Sequence, residues 1–132
     1  MIKHYFNLIL LSILTFNAFG QDTTYFDSKW KKTSAESANF YRIELKTDNG
    51  FERTDFFASN NQIQMQGEYR SLNPEIKIGE FKWYHANGKL KHIGEYLDNK
   101  EIGTHKWYFD NGEIEAIENY TMGKYGTYSS SI

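Results

Sequence analysis

The chain contains no cysteine. Disulfides, thiolate metal sites and cysteine nucleophiles are excluded with it, as is a lipid-anchored cysteine at a leader cleavage site. Proline occurs once, at Pro74. No sign of charge dominates: 15 basic residues against 17 acidic give −2, so there is no basic excess to suggest a nucleic-acid binder. A long apolar run is missing too, except at the start. There Lys3 supplies a basic residue, Tyr5 to Phe16 is largely apolar, and Ala18-Phe19-Gly20 puts small residues where a signal peptidase reads. Residues 1–20 are expected to be a secretory signal cut after Gly20, too short to persist as a membrane span, with an uncleaved anchor as the alternative. Cleavage removes Lys3 and leaves a mature chain of −3, about one small domain long, located in the periplasm or secreted and held by its sheet alone. Also missing are a nucleophile elbow, a phosphate loop, a metal-ligand cluster and a spaced pair of buried carboxylates. The chain is read as a non-enzyme without a cofactor.

What the chain does have is aromatic residues, 17% of the total, and a repeat. Gly79-Glu-Phe-Lys-Trp83-Tyr84-His-Ala-Asn87-Gly88-Lys-Leu90, closing at Tyr96, returns as Gly103-Thr-His-Lys-Trp107-Tyr108-Phe-Asp-Asn111-Gly112-Glu-Ile114, closing at Tyr120. The offset is 24 throughout (107 − 83, 112 − 88, 120 − 96), a period that marks a repeat architecture. An Asn-Gly pair between alternating runs is the strongest short-range hairpin signal, since both turn residues can take positive φ. A two-residue turn at Asn87-Gly88 sets His85 opposite Leu90 and Trp83 opposite His92. Trp83, Leu90 and Tyr96 then share one face, and Tyr84, Lys89, Lys91 and Glu95 the other. The second unit repeats this with Trp107, Ile114 and Tyr120 against Tyr108, Glu113 and Glu115.

A worn copy lies upstream. A shift of 27 aligns Phe56 with Trp83, Ile63 with Leu90, and Gly67-Glu68-Tyr69 with Gly94-Glu95-Tyr96. Its turn is Asn60-Asn61, and its three extra residues are assigned to a loop around Pro74. Before it, Tyr25, Phe26 and Trp30 form an extended lead-in laid over the first strands, and Thr33-Ser34-Ala35-Glu36 has capping-box spacing for a short helical segment. Phe40–Lys46 reads as a strand ending in the turn Asp48-Asn49-Gly50. The predicted fold is all-β, an antiparallel meander of repeated hairpins in an open single-layer sheet. Its organisation is signal 1–20, lead-in and first strand 21–50, and repeats over 51–132 (51–78, 79–102, 103–125 and a partial, capping 126–132).

The pattern Gly-x-x-x-Trp-Tyr-x-x-Asn-Gly-x-Leu/Ile followed by Tyr resembles the MORN-repeat variant family, which includes proteins labelled YwqK-type antitoxins. The resemblance rests on Trp83, Tyr84, Asn87, Gly88 and Tyr96 with Trp107, Tyr108, Asn111, Gly112 and Tyr120, and covers about Phe51 onward. The joint Asn99-Lys100-Glu101-Ile102-Gly103 departs from the family's Asn-Gly-Lys-x-x-Gly. The lead-in is similar to that of exported Bacteroidota proteins. The resemblance implies an elongated sheet used for interaction.

The candidate interaction surface comprises Trp83, Tyr84, Trp107, Tyr108, Tyr96 and Tyr120, with Asn87, Gly88, Asn111 and Gly112 as structural turns. The face carrying Trp83, Trp107, Phe56, Tyr69, Tyr96 and Tyr120 reads first as core packed over Gly67 and Gly94, and alternatively as an exposed stripe for a glycan, peptide strand or lipid-facing partner. Tyr84 and Tyr108, on the charged face, are expected to be the more exposed. His85, His92 and His105 raise a metal site, but the repeat fixes no carboxylate beside them, and no metal is assigned. Lys82, Lys89 and Lys91 are expected to pair with Glu113 and Glu115. Asn119-Tyr120-Thr121 fits a glycosylation acceptor inside a strand and is discounted. The leading expectation is an exported module binding a protein or envelope component, with no nucleic-acid partner and the oligomeric state open. The alternatives are an antitoxin or immunity-like protein and a carbohydrate-binding domain.

Overall fold

The computed structural model describes residues 22–122 and 128–131; the expected signal, its cleavage point and the joint at 123–127 lie outside them. Nine strands form one sheet in chain order, each antiparallel to the next. They are β1 (Thr24–Phe26), β2 (Phe40–Thr47), β3 (Gly50–Phe57), β4 (Ile63–Leu72), β5 (Glu75–Tyr84), β6 (Leu90–Leu97), β7 (Lys100–Tyr108), β8 (Ile114–Met122) and β9 (Tyr128–Ser131). The all-β meander expected from the repeat is the architecture observed. No described helix is long and apolar enough to cross a membrane. The capping-box segment forms only a 3-10 turn, Ala35–Ser37, with Ser34 as its N-cap and no side-chain cap bond. The lead-in packs as expected: Trp30 stacks on Phe40 at 4.4 Å and touches Phe26 at 5.6 Å.

The Asn-Gly turns differ from the expected two-residue form. His85 N–H donates to the Lys89 carbonyl and Gly88 N–H to the His85 carbonyl. Only Gly88 has positive φ, +84°, which is a type I turn completed by a left-handed glycine and a bulge. The extra residue shifts the register after Trp83, so Tyr84 faces Leu90 while Trp83 still faces His92. Leu90 therefore leaves the Trp83 face, and Ile114, opposite Tyr108, leaves the Trp107 face in the same way. Both positive-φ residues of a two-residue turn occur instead at Asp98 (+50°) and Asn99 (+68°), between Leu97 and Lys100.

The worn copy carries two further corrections. Phe56 pairs with Ile63 as Tyr84 pairs with Leu90, and Asp55, opposite Met65, takes the place of Trp83. Its turn is one residue longer than the repeat alignment allows. Phe56 consequently lies off the aromatic face and stacks on Tyr41 at 4.7 Å. The extra residues around Pro74 make no loop. They lengthen β4 and β5 to 10 residues each, with Leu72 paired to Glu75 and shifts after Gln66 and Tyr69. Asn61, at φ +58°, holds the left-handed position that Gly88 holds in the next unit.

The core is a layer of side chains on one side of this sheet: Met65, Tyr69, Phe81 and Tyr96, with Trp83 and Leu72 packed against them. Two backbone sites make room for it. A Cβ on Gly67 would lie 2.3 Å from the Phe81 ring, and one on Gly94 would lie 2.0 Å from the His105 ring. Rings thus seat directly on bare strand, as expected at both glycines. Toward β2 the same side turns ionic. Arg42 grips Asp55 through Nε (2.6 Å) and Nη2 (2.8 Å), and Arg53 bridges Glu44 and Glu75 while lying 4.4 Å over the Tyr69 ring.

Candidate functional site

Cross-strand neighbours on one face of a sheet stand about 4.5–5.5 Å apart, the thickness of stacked rings. The sequence places flat side chains at successive steps, and they stack. Trp83 lies 4.7 Å from His92 at 10°, and His92 lies 4.3 Å from Trp107 at 9°. A second row beside it runs through Tyr69, Phe81, Tyr96, His105 and Tyr120 by edge-to-face contacts of 4.9 to 5.3 Å. Lys77 lies over this rank, its ammonium 5.2 Å from Phe81, 5.4 Å from Trp83 and 4.9 Å from Tyr96. Burial lowers the Lys77 pKa, with the charge of Glu75 opposing that shift.

The histidines belong to the stack. His105 is fully buried, and its Nε2 lies 2.9 Å from the Glu95 carbonyl. A carbonyl only accepts, so His105 Nε2 carries the proton and its Nδ1 accepts from His92 Nε2 at 3.1 Å. Burial, then the electrostatic influence of neighbouring His105 and of the Lys77 ammonium, push the His92 pKa down to about 4. His85 stands apart and donates through Nε2 to the Tyr108 carbonyl at 2.8 Å. Both ring nitrogens of His105 and the Nε2 atoms of His92 and His85 are engaged in holding strands together.

Of the residues expected to form the surface, Trp83, Trp107, Tyr96 and Tyr120 are brought onto one side, with Tyr96 buried and the other three half-buried. Tyr84 and Tyr108 take the opposite side and are half-buried like the tryptophans; Tyr108 shares a groove there with Leu90, Ile93, Glu95 and Lys106. The expected lysine–glutamate pairs give way to other partners. Lys82 pairs with Glu80 on its own strand at 3.1 Å, and Lys89 reaches the Asn111 carbonyl at 3.2 Å. The turn asparagines do more than bend the chain. Asn87 Oδ1 accepts from Lys89 N–H while its Nδ2 donates to the Asp110 carbonyl of the next turn, and Asn60 likewise reaches the Ala86 carbonyl. Asn111 Oδ1 accepts from Glu113 N–H, so Asn111-Gly112 closes its own turn.

The stack ends asymmetrically. Trp83 has Met65 opposite it on β4, whereas Trp107 has only Ala116 opposite it on β8. Ala116 is the counterpart of His92 in the 24-residue period (116 − 92), and a methyl group is too short to cover an indole. On the reverse side Ile114 and Ile117 are 56% and 37% exposed, and Phe109 beside the turn is 48% exposed. Sequence reasoning missed this patch and the role of His105. The period alone carries a signal for His105, which stands 24 residues after the buried Phe81.

A single-layer sheet built from tandem hairpins defines the class as a β-repeat protein. Within it, the model of the MORN repeat variant family matches residues 77–98 and 101–121, the two hairpins that carry the ring stack. No curated protein and no solved structure matches the chain.

Proposed function

We propose that the protein is an exported, non-catalytic interaction module that binds a protein or envelope component in the C-terminal part of its sheet, around Trp107. The observation that carries this is the stack's open end. Opposite the Trp107 indole on β8 stands only the methyl group of Ala116, and among the described residues Phe109, Ile114 and Ile117 are exposed close by. Export rests on Met1–Gly20. A toxin acting in the envelope is one protein partner that would fit. A sugar platform draws less support, because both faces of His92 and one face each of Trp83 and Trp107 are taken by neighbouring rings, which leaves no run of free ring faces along the stack.

The test is retention of envelope components by the immobilised protein, with cytosol as the comparison. A discrete envelope protein or glycopolymer should be retained, and Trp107→Ala and Ile117→Glu should each abolish retention while far-UV dichroism stays unchanged. Retention that ignores both substitutions, or that is equal from cytosol, would overturn the reading.

A further inference from the structure

At the other end of the sheet, β1 covers only half of β2. Thr24, Tyr25 and Phe26 pair with Arg42, Tyr41 and Phe40, and the outer side of β1 is closed by Thr33 N–H on the Tyr25 carbonyl. That bond shows the Tyr25 backbone turned away from β2. By the alternation of an antiparallel ladder, Tyr41, Ile43 and Leu45 then turn their backbone toward β3, and Glu44 and Lys46 turn theirs outward. Five residues, Ile43 to Thr47, thus present an edge that no described strand covers between the end of β1 and the turn at Asp48-Asn49, with Leu45 41% exposed on it.

The chain's own approach does not suit this edge. Extending the β1 register (24 + 42 = 66) would set Asp22 opposite Glu44, a like-charge pair that destabilises a sheet; Asp22 and Thr23 instead leave β2 without strand structure. The segment Ile43-Glu44-Leu45-Lys46-Thr47 is complementary to itself. Run antiparallel about Leu45, it sets Glu44 against Lys46, Lys46 against Glu44, Leu45 against Leu45 and Ile43 against Thr47. We infer that this edge pairs with the same edge of a second copy, giving a two-fold dimer with one continuous sheet. The outward backbone groups of Glu44 and Lys46 bond in both directions, and the sign of each charged side chain meets its opposite. The contact is closed by its symmetry and small, hence weak. It is independent of what binds at Trp107.

The chain lacks cysteine, so single cysteines report the register without interference. Leu45 faces its own copy in a non-hydrogen-bonded pair, with Cβ atoms close to disulfide range. Under mild oxidation, full-length Leu45→Cys should form a disulfide dimer at least about tenfold faster than Lys91→Cys, an exposed control on β6, because pairing raises the local thiol concentration. Ile43→Cys mixed with Thr47→Cys should cross-link to each other in preference to themselves. Lys46→Glu added to Leu45→Cys should remove the rate advantage, and Lys46→Arg should keep it. Leu45→Cys dimerising no faster than Lys91→Cys would overturn the inference, whether the edge stays bare or residues 1–21 occupy it. Thr47→Cys cross-linking to itself as readily as to Ile43→Cys would overturn it too, since that marks a different register.

Discussion

His92 shows how a titratable ring can serve as a structural spacer. Its flat faces are taken by Trp83 and Trp107, and its Nε2 proton is given to His105. Protonation would add a second N–H and a charge between two indoles and beside Lys77. The free side chain titrates near 6.5 and the folded one at about 4. Between those values the unfolded chain binds the proton and the folded chain does not. This contribution is therefore fully present above about pH 6.5 and is lost as pH falls toward 4. Allowing for solvent screening of a half-exposed ring, the loss attributable to His92 is about 1–2 kcal/mol. Urea unfolding at pH 7 and pH 4.5 measures it. His92→Phe keeps a flat ring in the stack, and its stability should fall less across that interval by this amount. Equal losses in the two proteins would show that His92 does not control the acid side.

At the scale of the hairpin, each turn asparagine has two duties that one substitution separates. Asn87→Asp keeps the oxygen that accepts Lys89 N–H and replaces the amide that donates to the Asp110 carbonyl with a second oxygen. Asn111→Asp keeps the matching oxygen, but its amide donates only to Glu113 Oε2 at 3.2 Å. Asn87→Asp should cost about 1 kcal/mol, one exposed hydrogen bond with its acceptor left to water, and Asn111→Asp clearly less. Thermal or urea midpoints of the two variants decide it, and equal costs would remove the turn-to-turn tie. These turns also show what the sequence made legible. Asn-Gly located each hairpin and the period located each strand, so the meander and the shared side of Trp83, Trp107 and Tyr96 were readable in advance. Asn-Gly did not reveal whether the loop holds two or three residues, because glycine accepts either geometry. That single residue decides the faces of Leu90, Ile114 and Phe56. The Arg42–Asp55 and Arg53–Glu75 contacts were hidden for a different reason. Charge on alternating positions reads as a solvated face, and only the pairing partner shows that Asp55 is 1% exposed.

Across the whole molecule, the substantial contacts run between strands adjacent in sequence, from β1·β2 through to β8·β9. Among the described residues such a sheet has no second layer to close it, and each hairpin is stabilised by the ring and turn contacts it shares with its neighbours. Stability should then behave as a sum of units and interfaces. Inserting a second copy of Gly79–Ile102 directly after Ile102 preserves the 24-residue register and adds one hairpin. It also places a further Trp–His pair inside the stack and a further Gly94 beneath an incoming ring. The urea m-value should rise roughly in proportion to the residues added, since it follows the surface exposed on unfolding. The midpoint should rise as well, because the new unit buries both of its sides against neighbours while the end units are unchanged. Excising Gly79–Ile102 should lower both quantities and leave a folded, shorter sheet. An insertion that unfolds in two separate transitions, or an excision that prevents folding, would mean that the layer of rings acts as one indivisible core. The interaction site proposed around Trp107 would then depend on the integrity of strands as distant as β3.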